Sequence, residues 1–268
     1  MLDDRAVQTA APRKASRKRR VLGAFLAPTG LILLAFWHIG YFGGPLFTDV
    51  PATARAPPNR AGLVAVVFSG DAGYQIGMAS MIGNRLAADG IPVVGVNTLT
   101  YFRTERTPAD ATRLVASAIE HAIAFARADH LILVGQSYGA DMLHTGLANL
   151  PVRLRDKISL VALVVPGATV EFRATPGGIL SFNVPGVPAL ATARSLDWVP
   201  AVCIQGVEQT TSLCPLLSAP NVARITMPGG HSIHWDADGL NTRLLAAIDP
   251  STRIITKVSS GEHAPVIP

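Results

Sequence analysis

The chain has 268 residues, of which 49% are hydrophobic and only 15% are charged, so it is neither disordered nor collagen-like. Its net charge of +5 lies entirely in the first 20 residues, which hold seven bases and two acids, while the other 248 residues hold 16 of each. A neutral body lacks a basic surface for phosphate backbones, and we therefore expect no nucleic-acid partner.

The N-terminal part has the charge pattern of a membrane anchor. Residues 21–37 contain no charge, and four consecutive bases precede them. Charged side chains at mid-bilayer cost about 3 kcal/mol each, and flanking bases stay in the cytoplasm, so the body is expected in the periplasm, anchored to the inner membrane. The predicted segments are a basic cytoplasmic head (1–20), a transmembrane signal anchor (21–42), a linker rich in Pro, Ala and Gly (43–60), the folded domain (61–250) and a tail (251–268).

A cleaved, soluble periplasmic form is the alternative to an anchored one. Ala52-Thr53-Ala54 and Ala54-Arg55-Ala56 have the small side chains that signal peptidases require. These sites lie far beyond the apolar run, which is long for a cleavable signal, so the uncleaved anchor is favoured. Both outcomes export Cys203 and Cys214, for which an oxidising compartment favours a disulfide over two buried thiols.

The body alternates apolar strands with amphipathic helices. Such alternation predicts an α/β fold with a mostly parallel central sheet and helices on both faces, whose functional residues follow the carboxyl ends of the strands. The predicted strands are 63–68, 91–96, 131–134, 158–165, 201–205 and 222–227, and the predicted helices are 75–88, 108–126 (capped by Thr107), 138–147 and 236–248.

One long segment, 167–196, interrupts this alternation. It is rich in Gly and Pro, and a loop of this length in a compact domain is usually functional. We predict that it forms an apolar substrate wall through Phe172, Ile179, Leu180 and Phe182.

A candidate nucleophile follows the strand 131–134. Residues 135–139 read Gly-Gln-Ser-Tyr-Gly between a strand and a helix, which is the context in which Gly-x-Ser-x-Gly forms a strained turn that exposes the serine. We therefore predict that Ser137 is the nucleophile. A small-residue turn without chemistry is the other interpretation of this motif.

A serine nucleophile needs a base and an orienting acid, which in this fold follow in the order serine, acid, histidine. His231 comes after the last strand through Pro-Gly-Gly and is the predicted base, with His234 as the alternative. Glu208 is the one carboxylate between Asp197 and Asp236, so it is the predicted acid unless it is an ordinary exposed loop residue.

The predicted oxyanion hole combines two backbone N–H groups, that of Tyr138 and one from the loop after the first strand, at Asp71 or Ala72. The Asp71 side chain either caps its loop or recognises a cationic group on the substrate. Asp141 lies one helical turn after the nucleophile and either pairs with an arginine or contacts substrate.

A metal site is the main chemical alternative, because two histidines and two aspartates lie close together in sequence. Their spacing matches no zinc pattern, and we expect neither a metal nor a cofactor. These four residues are His231, His234, Asp236 and Asp238.

Further motifs accompany the serine turn, and each follows a predicted strand or opens a helix. They are Ser-Gly-Asp-x-Gly at 69–73, Tyr-Phe at 101–102 followed by Arg-Thr-Pro at 106–108, Gly-x-Ser-x-Gly-Ala-Asp at 135–141, Cys-Ile-x-Gly at 203–206 with a second cysteine at 214, and Pro-Gly-Gly-His at 228–231. Together they resemble the VirJ/AcvB virulence-protein family of α/β-hydrolases over about residues 61–248.

The resemblance implies an α/β-hydrolase fold and a periplasmic location in a Gram-negative bacterium. It also implies a serine hydrolase that cleaves an ester of lysyl- or alanyl-phosphatidylglycerol, since AcvB-type members hydrolyse lysyl-phosphatidylglycerol. VirJ members are linked to type IV secretion, so a secretion accessory that binds secretion-system proteins is the alternative. A generic lipase or thioesterase is a further one.

Overall fold

The computed structural model describes residues 17–175 and 186–249, with side chains from Pro28 onward. The predicted tail (251–268) and three residues of the predicted substrate wall, Ile179, Leu180 and Phe182, lie outside the described residues.

Within the described residues, the sheet has seven strands in the order β1-β3-β2-β4-β5-β8-β9, all parallel except β1, which runs antiparallel to β3. The predicted mostly parallel α/β architecture is confirmed. The strands are β1 (Phe47–Val50), β2 (Leu63–Phe68), β3 (Val93–Val96), β4 (His130–Gln136), β5 (Ile158–Val164), β6 (Thr169–Val170), β7 (Val187–Pro188), β8 (Ala201–Gly206) and β9 (Val222–Met227), of which β6 and β7 form a separate pair.

Helices cover both faces of the sheet. Along β2, Val64, Val66 and Phe68 point into one core cluster while Ala65 and Val67 point into the other, as the two-residue period of a strand requires. Helices α4 and α5 pack in the first cluster, and α2 and α8 pack in the second. The helices are α1 (Arg17–His38), α2 (Met78–Ala88), α3 (Thr98–Phe102), α4 (Pro108–Ala126), α5 (Tyr138–Leu147), α6 (Val152–Arg155), α7 (Leu190–Arg194) and α8 (Ala237–Ile248).

Local chemistry explains where two of these helices begin. Thr107 caps α4 as predicted: its hydroxyl accepts from the Asp110 N–H at 3.2 Å, and the Asp110 carboxylate accepts from the Thr107 N–H at 2.9 Å. Helix α2 begins at Met78 rather than at the predicted position 75, because Gly77 has a φ of 101°, outside the helical region.

The segment predicted as a linker, 43–60, is partly a strand. β1 lies within it and pairs with β3 from Phe47 opposite Val96 to Val50 opposite Val93. Leu46 and Phe47 also pack against the first core cluster. The folded body therefore begins before Ala61, and the prediction of a linker over this whole range was wrong.

The predicted anchor, 21–42, is helical over most of its length, since α1 runs to His38. None of the helices in residues 17–175 and 186–249 has the combination of length and hydropathy that crossing a membrane requires.

The predicted disulfide is confirmed. Cys203 on β8 is bonded to Cys214, which begins a short 3-10 helix, Cys214–Leu216. The bond closes the loop that follows β8 at its base. It is compatible with a periplasmic location, where disulfides persist.

Candidate active site

Ser137 lies at a sharp turn between β4 and α5. Its φ of 53° and ψ of −124° are strained for a residue with a side chain. The turn requires glycine on both sides: a Cβ at Gly135 would lie 2.5 Å from the Ala140 Cα, and one at Gly139 would lie 2.4 Å from the Phe68 and Ser69 carbonyl oxygens. This is the geometry that the Gly-x-Ser-x-Gly motif predicts, with the serine raised above the carboxyl end of the sheet.

The turn leads directly into the first turn of α5. The Ser137 carbonyl accepts the N–H groups of Ala140 at 2.8 Å and Asp141 at 3.2 Å. The Tyr138 N–H, at the first helical position, has no acceptor within the helix, and the helix N-terminus favours negative charge near it. Tyr138 is therefore placed as the sequence predicts for one oxyanion donor.

His231 faces the nucleophile. Its Nε2 lies 2.7 Å from the Ser137 Oγ, at hydrogen-bonding distance. The alternative base, His234, packs instead over Gly229, where an added Cβ would lie 2.6 Å from the imidazole ring. The structure thus brings together the two residues to which the sequence assigns nucleophile and base.

Glu208 is not beside His231. Its side chain is exposed, and within the described residues no hydrogen bond joins it to the imidazole; its backbone N–H binds the Gly229 carbonyl at 3.0 Å. The neighbouring residue, Gln209, has its Nε2 3.3 Å from the His231 Nδ1. The structure therefore does not bring the predicted acid into the site, because the chain turns Glu208 outward and Gln209 inward.

The loop after β2 approaches the nucleophile closely. It is a tight turn in which the Gly73 N–H binds the Gly70 carbonyl at 3.1 Å, and the Gly70 N–H binds the Gln136 Oε1 at 3.2 Å. Asp71 and Ala72, the predicted second donors of the oxyanion hole, line a cleft together with Ser137 and His231.

Asp141 is buried, and its Oδ1 accepts the Gly167 N–H at 2.9 Å rather than pairing with an arginine. Burial and the nearby charge of Glu171 raise the pKa of this carboxyl well above its usual range. Phe172, predicted to bind substrate, packs against the core cluster on the α4 side and lines neither of the clefts at the nucleophile. The role of Phe172 in substrate binding therefore stays a prediction.

Two clefts of opposite character meet at Ser137 and Asp71, which line both. The first, of about 180 Å³, is polar and is lined by the three acidic residues Asp71, Asp141 and Glu171 together with Arg173. The second, of about 300 Å³, has an apolar wall made by Ile76, Met78, Val164, Val165, Ile233 and Trp235.

An unusual backbone run holds part of the apolar wall. Ile233, His234 and Trp235 all have left-handed φ angles, of 44°, 52° and 57°. A left-handed conformation is strained for a β-branched residue such as Ile233. The run begins two residues after His231, so one short segment places both the imidazole beside Ser137 and Trp235 in the cleft wall. Sequence patterns do not reveal it, because no glycine marks the left-handed positions.

Burial lowers the pKa of His231 below its usual value, while the charge of Asp71 opposes this effect. The neutral form of the imidazole, which a general base requires, is therefore favoured. Within the described residues, no group of three or more His, Cys, Asp or Glu side chains is arranged to hold a metal ion.

Solved structures similar to this one share its fold at low sequence identity. Est1E from Butyrivibrio proteoclasticus is 12% identical, with a TM-score of 0.52 over 75% of this chain and 93% of its own. Proline iminopeptidase from Mycobacterium smegmatis is 14% identical, with a TM-score of 0.51 over 78% and 95%. Carboxylesterase CesB from Bacillus subtilis is 11% identical, with a TM-score of 0.50 over 81% and 96%. The fold is therefore that of an α/β-hydrolase.

No curated protein matches the sequence. Residues 62–252, most of the chain, match the family described as bacterial virulence protein (VirJ). This range contains the strained serine turn, the histidine that faces it, both cysteines and the loop after β2. The chain belongs to the VirJ family of bacterial virulence proteins.

Proposed function

We propose that this protein is a periplasmic serine hydrolase, held at the inner membrane by its N-terminal segment, that cleaves the ester of an aminoacyl-phosphatidylglycerol. Ser137 attacks the ester carbonyl, His231 transfers the proton, and the N–H groups of Tyr138 and of Asp71 or Ala72 stabilise the oxyanion. The observation that carries the proposal is the meeting of an acidic and an apolar cleft at one nucleophile.

The two clefts fit the two sides of such an ester. On the acyl side, a lysyl or alanyl group carries an ammonium close to the scissile carbonyl, and Asp71 and Glu171 in the acidic cleft would attract it. On the alcohol side, a glycerol bears acyl chains, for which the wall of Ile76, Ile233 and Trp235 offers apolar contact. A simple fatty-acid ester carries no cation for the acidic cleft to attract.

The N-terminal segment supports a substrate in the membrane. The side chains of Leu31, Ile32, Leu33, Leu34 and Trp37 on α1 are exposed apolar groups, and a basic stretch precedes them. Tethering of this kind raises the effective concentration of a lipid substrate without any new contact at the site.

The test is release of free amino acid from lysyl- or alanyl-phosphatidylglycerol, labelled in the amino acid and carried in phosphatidylglycerol vesicles. We expect release by the full-length protein, none by Ser137→Ala, and a KM raised severalfold by Asp71→Asn because the ammonium loses its counter-charge. Asp129→Asn is the matched control, since Asp129 is exposed at the opposite end of β4.

The outcomes separate the alternatives. Hydrolysis of p-nitrophenyl butyrate without release of amino acid from either lipid would contradict the substrate and favour a generic esterase. Absence of covalent labelling by a fluorophosphonate would contradict the hydrolase itself and favour a binding role, such as a secretion accessory.

The pH dependence of ester hydrolysis provides a further prediction. Because burial lowers the pKa of His231, kcat/KM should fall only as the pH drops below the usual histidine value of about 6.5. The charge of Asp71 raises this pKa, so Asp71→Asn should move the acid limb of the profile to lower pH. The measurement uses p-nitrophenyl butyrate, which carries no ammonium; a limb that stays fixed or moves to higher pH would contradict the assignment of His231 as the titrating base.

A further inference from the structure

We propose that Gln209 is a positioning residue that sets the tautomer of His231 and thereby restrains the activation of Ser137. The inference rests on the proposed function only in taking His231 as the base. It concerns the place next to the His231 Nδ1, where a carboxylate would ordinarily hold the ring of a hydrolytic base.

The orientation of the Gln209 amide follows from its second neighbour. Its Nε2 lies 3.2 Å from the Pro166 carbonyl oxygen, which also accepts the Leu213 N–H at 3.2 Å. A carbonyl oxygen only accepts hydrogen bonds, so the amide atom that faces it must be the nitrogen. If the amide were rotated by 180°, its Oε1 would face the Pro166 carbonyl oxygen, and two acceptors would repel each other. The NH₂ group would then occupy the buried position that Oε1 has now, where the described residues offer no hydrogen-bond partner.

This orientation fixes the ring proton. The same Nε2 lies 3.3 Å from the His231 Nδ1, so its second hydrogen points at that nitrogen and Nδ1 must accept. In the neutral ring the proton then lies on Nε2, 2.7 Å from the Ser137 Oγ. In this tautomer His231 donates a hydrogen bond to Ser137 and cannot take its proton.

The proton must move to Nδ1 before His231 can act as a general base, and the Gln209 N–H opposes that move. In serine proteases, replacing the orienting aspartate by an amide imposes the wrong tautomer and costs about 10⁴-fold in kcat. Asp71 is the charged group that acts on His231 among the described residues, and it lies in the clefts rather than at Nδ1. The negative charge that acts on His231 therefore belongs to Asp71, whereas the group that orients its ring belongs to Gln209.

The loop geometry is suited to holding this amide in place. The Gln209 N–H binds the Gly206 carbonyl at 3.1 Å, and the loop is closed by the bond between Cys203 and Cys214. The amide thus has a fixed backbone on one side and the Pro166 carbonyl on the other, which favours one orientation of the histidine that it contacts.

The first test is ¹⁵N NMR of the histidine rings in the full-length protein, with His231 assigned by its substitution. We expect the Nε2–H tautomer at mildly alkaline pH in the wild-type protein and the Nδ1–H tautomer in Gln209→Glu, where a carboxylate accepts from Nδ1. A wild-type ring protonated on Nδ1 would overturn the proposal, and this measurement needs no variant to fold.

The second test is the rate of labelling of Ser137 by a fluorophosphonate, which needs no lipid substrate. Gln209→Glu should label at least about tenfold faster than wild type, with its acid limb moved to higher pH by the added charge at the ring. Thr210→Glu, which adds the same charge at an exposed position one residue away, is the control for the charge alone.

Two results would refute the role of Gln209. One is a folded Gln209→Glu variant that labels no faster than wild type. The other is that Glu208→Gln loses labelling while Gln209→Glu labels at the wild-type rate, which would assign the role of the acid to Glu208. Faster labelling without release of amino acid from aminoacyl lipids would uphold the role of Gln209 and contradict only the proposed substrate.

Discussion

Replacing Ser137 or His231 by alanine should lower ester turnover by roughly 10³- to 10⁴-fold, the largest effect that we expect on activity. The reason is that the Ser137 Oγ and the His231 Nε2 are 2.7 Å apart, so each serves the reaction only through the other. The double variant should lose little more than either single one, because residues that act as a unit are not additive. Turnover of p-nitrophenyl butyrate and of labelled lipid measures both effects.

The control for this prediction is His234→Ala, since that ring packs over Gly229, whereas the His231 ring lies at hydrogen-bonding distance from Ser137. Unfolding curves for all variants should coincide with that of the wild-type protein, because Ser137 and His231 lie at the mouth of a cleft rather than in the core. Retained turnover in His231→Ala together with its loss in His234→Ala would contradict the assignment of the base.

Replacing Gly139 by alanine should lower the free energy of unfolding by about 3 kcal/mol or more, the largest effect that we expect on stability. Its added Cβ would lie 2.4 Å from the carbonyl oxygens of Phe68 and Ser69. These are backbone atoms at the end of β2, so no side-chain rotation can relieve the overlap. The displaced backbone leads into the loop that contains Asp71, so the activity that survives should fall as well.

Urea denaturation measures this effect, and Gly230→Ala is its control, because a Cβ at Gly230 would meet no atom within 4 Å. The denaturation midpoint of Gly230→Ala should stay close to that of the wild-type protein. An unchanged midpoint in Gly139→Ala would mean that α5 and the end of β2 are not as tightly packed as described.

The bounds of β2, α4, α5 and β9 agree with those predicted from the sequence. β2 is a continuous apolar run and α4 is a helix with a cap and a regular apolar face, so their local and tertiary preferences coincide. β1 was missed because its four residues, Phe47–Val50, form no apolar run and pair on one side only. Its presence depends on a partner, β3, that is distant in sequence.

Prediction from local sequence has the same limit for single side chains in the candidate active site. A strained serine turn and a histidine after the last strand follow from motif and chain order, and both are where the sequence predicts. The choice between Glu208 and Gln209 does not follow, because neighbouring residues in a loop point in different directions. Which one turns inward depends on the turn at Gly206 and on the Pro166 carbonyl across the loop. A search of the sequence for a carboxylate as the orienting group also overlooks the amide of Gln209.

The position of β1 has a consequence for proteolytic maturation. The two candidate signal-peptidase sites, Ala52-Thr53-Ala54 and Ala54-Arg55-Ala56, lie after this strand, so a cut at either would remove it with the segment before it. The edge of β3 would then expose unpaired N–H and C=O groups, a template for pairing with other chains. Ile39, Leu46 and Phe47 would also leave the core cluster. The residues before Ala52 thus shield the sheet against aggregation, and processing at these sites would discard that protection.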